Sequence, residues 1–212
     1  MKFITTTTLI FALAISISSS QITTSIIDNK PNTKEVKMDN EYPKYEITVT
    51  QNGTELGKIL IETFPDKAPK HSANFDSLVS IGFYDGTVFH RVIPGFMIQG
   101  GDPNSKNSPD DRTLWGTGDR TQTRVPAEFN KGLENWTHKR GILSAARSND
   151  PNSATSQFFI MHADAPHLDG QYSIYGQVLS GMEVVDAIAT TPKNGQDQPN
   201  NNITMKIVKV SK

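Results

Sequence analysis

The chain has 212 residues, with 21 Lys and Arg against 22 Asp and Glu and no cysteine. The near-neutral balance gives no general pull toward nucleic acid or an anionic membrane. The missing cysteines exclude disulfides, thiolate metal sites and cysteine nucleophiles.

The chain opens on Lys2, an apolar run from Leu9 to Ile15 and a serine-rich stretch from Ser16 to Ser20. A positive start, a short apolar run and small residues at its end read as a secretory signal peptide over residues 1–20. The expectation is export to a periplasm or a secretory route, with no stable membrane insertion once the leader is cleaved; the run is too short to span a bilayer. Residues 21–41 mix Thr, Ser, Asn, Lys and Asp without periodicity and read as a flexible linker. The folded domain is expected over residues 42–212.

Tyr45 to Val49 alternates as a strand. Asn52-Gly53 then marks a tight hairpin turn, and Lys58 to Thr63 returns. Pro65 stops that strand and Pro69 opens a helix. Phe75, Leu78 and Val79 recur at helical spacing, and Gly82 ends it. Thr87 to Val92 is a β-branched and aromatic strand carrying Phe89 and Arg91. Residues 102–140 are polar and read as long surface loops around an apolar island at Val125 to Phe129. Ile142-Leu143, Gln157 to Met161 and Tyr172 to Val178 read as further strands. Met182, Val185 and Ile188 mark a second short helix before Pro192, and Ile203, Met205 and Ile207 a last strand. Many short strands with two helices and turn-rich connections predict a mainly β chain, a closed antiparallel barrel with helical covers.

The chemistry concentrates in FHRVIPGFMIQGGDP, residues 89–103. Arg91 and Gln99 are polar donors there, close in sequence to Phe96 and Met97. No acid–base pair, nucleophile or ligand set accompanies them. An arginine side chain donates hydrogen bonds but does not shuttle protons at physiological pH. Such a donor beside apolar walls suits a reaction that changes charge distribution and bond rotation, as rotation about the bond preceding proline does. Twisting that bond breaks amide resonance and leaves a lone pair on the proline nitrogen, where a guanidinium stabilises the twisted state. Phe159 and Leu168 could complete an apolar floor. The five histidines, His71, His90, His138, His162 and His167, lack ligand-type spacing and a companion Cys or carboxylate set, so no metal is expected. Asn52-Gly53-Thr54, Asn135-Trp136-Thr137 and Asn202-Ile203-Thr204 fit the N-glycosylation acceptor pattern.

FHRVIPGFMIQGGD, residues 89–102, strongly resembles the cyclophilin peptidyl-prolyl isomerase signature. The resemblance continues through Gly141-Ile142-Leu143-Ser144, Ser156-Gln157-Phe158-Phe159-Ile160, Leu168-Asp169-Gly170, Gly176-Gln177-Val178 and Gly181-Met182, covering about residues 43–210. It implies a closed eight-stranded antiparallel β-barrel capped by two α-helices, and an isomerase that acts on Xaa-Pro bonds without a cofactor. It also implies Arg91 as the catalytic cation, with Phe96, Met97, Phe159 and Leu168 as the proline pocket. Gln99 would hold the substrate backbone, Gln157 would stand beside the pocket, and Ala146 would support the neighbouring substrate residues.

Three positions depart from the eukaryotic cytosolic pattern in a bacterial direction: His167 replaces Trp, Tyr172 replaces His and Arg147 replaces Asn. That Trp matters for cyclosporin binding in the family, so the resemblance does not extend to strong cyclosporin sensitivity. All three residues are counted with the substrate-binding set. The expected partners are proline-containing peptides and unfolded protein clients, met by a monomer. A binding module for proline peptides, with incidental turnover, is the reading from another class.

Overall fold

A computed structural model describes residues 41–129 and 136–211. The expected leader, all of the expected linker but Glu41, and Asn135 of one acceptor pattern lie outside the described residues.

The hairpin forms as its sequence dictates. β1 (Lys44–Gln51) and β2 (Thr54–Thr63) pair antiparallel. Asn52 and Gly53 between them both take positive φ, 52° and 79°, the backbone of a two-residue turn whose twist matches the strands. Alternation then sorts the side chains: Tyr45, Ile47, Val49, Ile59 and Ile61 are fully buried, and the residues between them are not.

α1 (Pro69–Ser80) starts on its proline and covers the interior with Phe75 and Val79. Phe75 meets Tyr45 edge-on at 5.1 Å and Phe158 at 5.9 Å. Burying such a ring contributes on the order of 2–3 kcal/mol. β3 (Phe89–Ile93), β4 (Met97–Gly100), a single-turn helix α2 (Asn104–Asn107), β5 (Ile142–Ala145), β6 (Phe158–Met161), β7 (Ile174–Ser180), α3 (Met182–Ala189) and β8 (Ile203–Ser211) follow.

The strands form one antiparallel sheet in the order β3-β4-β6-β5-β7-β2-β1-β8. Its two ends meet through a bridge between Val88 and Thr204 and bonds from Met205 N to Thr87 O and from Gly86 N to Met205 O, both 2.9 Å. The barrel is therefore nearly closed, without a full ladder at the seam.

The expected architecture holds, with local differences. β4 is a strand that the sequence reading did not assign. α2 adds a third helix to the two expected ones. The island at Val125 to Phe129 contributes only an isolated bridge, Val125 to Ala154, because Pro126 lacks the N–H needed to extend a ladder. The last strand before α3 starts at Ile174, so Tyr172 lies on the turn preceding it. Among the described residues no helix is long and apolar enough to cross a membrane.

Candidate active site

The site is built on the outer face of the barrel, and a bulge puts it there. Phe89 pairs with Gly100 and Arg91 with Gln99, so two β3 steps oppose one on β4. His90 is the extra residue. Strict alternation would put Phe89 and Arg91 on the same face. The bulge separates them: Phe89 is fully buried inside the barrel and Arg91 is exposed. From there register does the rest. Arg91, Gln99 and Phe159 are successive partners across β3, β4 and β6. Their neighbours Val92, Ile98, Phe158 and Ile160 point into the interior and are fully buried.

A second apolar cluster forms outside the barrel. Met97, Phe159 and Met161 project from the sheet and are covered by Ala165 and Leu168, with Phe96, Ala146 and Tyr172 partly buried at its edge. The covering segment is tied down by Ala165 N donating to His138 O at 2.8 Å. It turns through a short 3-10 segment at Pro166–Leu168, and Tyr172 N donates to Leu168 O at 3.2 Å. The result is a cleft of about 260 Å3 lined by Arg91, Phe96, Met97, Gln99, Ala146, Arg147, Phe159, Leu168 and Tyr172.

Nine of the eleven residues singled out in the sequence thus line one cavity. The other two stand beside it. Gln157 accepts from Gln99 Nε2 at 3.0 Å and lines the adjoining cavity. His167 is exposed and stacks on Phe96 with centroids 5.8 Å apart. The Arg91 guanidinium makes no hydrogen bond or ion pair with any described residue, so its donors face the cleft mouth unspent.

Two of the departures from the cytosolic pattern meet in space. The Arg147 guanidinium lies 4.3 Å over the Tyr172 ring. Its Nε and one terminal nitrogen donate to Gln171 O at 3.2 and 2.9 Å, and the other donates to Ser148 O at 2.8 Å. Tyr172 in turn meets Phe159 edge-on at 5.7 Å. Arg147 and Tyr172 are therefore one wall.

Sequence reasoning missed the groups that hold this wall. His138 is buried, stacks on Phe159 at 6.1 Å and bonds Asp169 Oδ1 through Nδ1 at 2.8 Å and Ser144 Oγ through Nε2 at 2.9 Å. A carboxylate only accepts, so Nδ1 carries the proton and Nε2 accepts from the Ser144 hydroxyl. Burial pushes the His138 pKa down, and Asp169 opposes that only in part. Asp169, in the Leu-Asp-Gly motif, was the available signal.

Asp102 was the other miss. It is fully buried and accepts from the backbone N–H groups of Asn104, Gly116 and Gly118. Gly116 O accepts from Gln157 Nε2 at 3.2 Å, which extends the chain of bonds to Gln99.

A protein-family model described as "Cyclophilin type peptidyl-prolyl cis-trans isomerase/CLD" matches residues 46–210. The chain is 47% identical over 146 residues to a probable peptidyl-prolyl cis-trans isomerase of Brucella abortus, covering 68% of this chain and 70% of that one. It is 43% identical over 146 residues to a peptidyl-prolyl cis-trans isomerase of Arabidopsis thaliana, covering 69% and 85%. The crystal structure of a Cryptosporidium parvum cyclophilin type peptidyl-prolyl cis-trans isomerase superposes with a TM-score of 0.67 at 30% identity, over 81% of this chain and 99% of that one. The structure of the same protein in the presence of the dipeptide Ala-Pro gives 0.66 at 32% identity, over 80% and 99%. The chain belongs to the cyclophilin-type peptidyl-prolyl cis-trans isomerase family.

Proposed function

We propose that this protein rotates Xaa-Pro peptide bonds in the cleft between Phe96 and Phe159, with Arg91 as the catalytic cation. The proline ring, compact and apolar, sits on Phe96, Met97, Phe159 and Leu168. Gln99, held by Gln157, donates to or accepts from the substrate backbone. Ala146 and the Arg147–Tyr172 wall flank the adjoining residues, and His167 stands at the rim.

As the bond twists, the proline nitrogen becomes pyramidal and gains a lone pair, which the Arg91 guanidinium meets with a charge-assisted hydrogen bond. The uncatalysed barrier is about 20 kcal/mol. One such bond supplies about 1.5–3 kcal/mol. The remaining acceleration comes from holding the peptide in orientation against a dry surface.

The observation that supports this reading best is a guanidinium with no partner of its own, at the mouth of an apolar cleft, in register with Gln99 and Phe159. The test is NMR exchange or a protease-coupled assay on an Ala-Pro peptide with wild type and Arg91→Ala. Loss of kcat by roughly 10- to 100-fold, with an unchanged circular dichroism spectrum, is expected. Undiminished turnover in the variant removes Arg91 from the role, and tight binding without acceleration makes the protein a binding module.

The client class follows from the leader pattern at residues 1–20: unfolded proteins exported along the same route, with residues 42–212 as the working unit. N-terminal sequencing of the protein recovered outside the cytoplasm tests this reading. A mature chain starting near residue 19 or 21 supports it, and a protein retained with Met1 intact refutes it.

A further inference from the structure

Beside the proline cleft lies a second cavity of about 510 Å3 that shares Gln99, Ala146 and Arg147 with it. The two form one groove, so a peptide seated in the first lays a flanking residue into the second. The first cavity has an apolar floor of Phe96, Met97, Phe159 and Leu168, whereas the second is lined mostly by polar and charged residues. Its walls carry Arg120, Arg124 and Arg147 against a single carboxylate, Asp119.

That carboxylate is already engaged: one Asp119 oxygen accepts from the Thr121 backbone N–H at 2.8 Å and from its hydroxyl at 2.7 Å. Arg120 is exposed and makes no hydrogen bond or ion pair with any described residue. Arg124 meets Asp150 only at 3.6 Å, with 64% of its side chain exposed. Arg147 stands between the two cavities, and its stack on Tyr172 and its bonds to backbone carbonyls fix it there before any peptide arrives. Guanidinium donors of this kind match the oxygens of a carboxylate or phosphate.

We propose that this cavity makes the protein selective for proline peptides that carry an anionic side chain, carboxylate or phosphate, on a residue flanking the Xaa-Pro pair. The inference rests on the peptide-binding reading above and adds a substrate class to it. Arg120 and Arg124 are its specificity residues; they lie outside the proline cleft and take no part in the bond rotation.

The test measures kcat/KM on an Ala-Pro peptide series. Ala, Glu, phosphoserine or Lys is placed in turn at each of two positions before and after the pair, at low and high salt. Wild type is compared with the double variant Arg120→Gln/Arg124→Gln. Calorimetric titration of the same peptides reads binding without turnover. A preference for Glu or phosphoserine over Ala of roughly two- to tenfold is expected at one flanking position, with Lys disfavoured. It shrinks with added salt and disappears in the double variant, whose rate on the Ala peptide stays at the wild-type value. Preference for both anions assigns any anion, and preference for phosphoserine alone assigns the phosphate. Equal constants for Glu, phosphoserine, Ala and Lys at every position overturn the inference, as does a preference that survives in the double variant. If no peptide is turned over but the titrations keep the anion preference, the isomerase reading fails and the selectivity stands.

Discussion

Lowering the pH from 7 to 4.5 should cost the protein about 2 kcal/mol of stability through His90. This imidazole sits in the β3 bulge and is only 3% exposed. Burial depresses its pKa to about 4, opposed in part by the Asp102 carboxylate and by contacts with the Val88 backbone and the Gln157 side chain. An unfolded histidine titrates near 6.5. The folded value lies below the unfolded one, so the unfolded chain takes up the proton first. The contribution is therefore present in full above about pH 6.5 and is lost as the pH falls toward 4.

With those two values, the linkage between pH 7 and 4.5 costs about 2 kcal/mol for this one side chain. His71 and His138 are also depressed by burial and act in the same direction. The carboxylates with lowered pKa values, such as Asp76 and Asp186, lose their contributions mainly at lower pH. The assay is urea unfolding at both pH values for wild type and His90→Leu, a replacement of similar volume that cannot titrate. The replacement gives up the polar contacts of the ring with Val88 and Gln157, so the variant is expected to lie about 1–2 kcal/mol below wild type at pH 7. Its stability should then fall by about 2 kcal/mol less than that of wild type on acidification. An equal fall in both proteins refutes the argument, whatever the variant costs at neutral pH.

Two further outcomes follow from the geometry. Gly101 has φ +81°, and an added Cβ would lie 2.8 Å from Ser156 O, so Gly101→Ala should destabilise the protein by about 1–3 kcal/mol in urea unfolding and loosen the β4–β6 contact under Gln99. Arg91→Lys keeps a positive charge but loses the planar fork of donors; its kcat should fall between those of wild type and Arg91→Ala, and a full recovery would show that charge alone is enough.

Much of this protein can be read from local order in its sequence. Asn52-Gly53 needs only its own backbone preference to make a hairpin, and Pro69 and Gly82 bound α1 for equally local reasons. The alternation of Tyr45, Ile47 and Val49 names a buried face without reference to its partner. The run from Phe89 to Asp102 identifies the family because its residue types are chemical requirements at fixed spacing.

What tertiary structure decided is which of these residues face each other. Alternation puts Phe89 and Arg91 on one face, and only the bulge at His90, defined by pairing with β4, sends them to opposite sides. The row Arg91, Gln99 and Phe159 comes from the register of the β3–β4 hairpin against β6, a strand almost sixty residues further along the chain. The contact of Arg147 with Tyr172, the hold of His138 on Asp169 and the arginine-walled cavity each join distant segments. A sequence records what each segment prefers. Register, bulges and cavities are set by the balance of packing between segments, so they exist only once the barrel has closed.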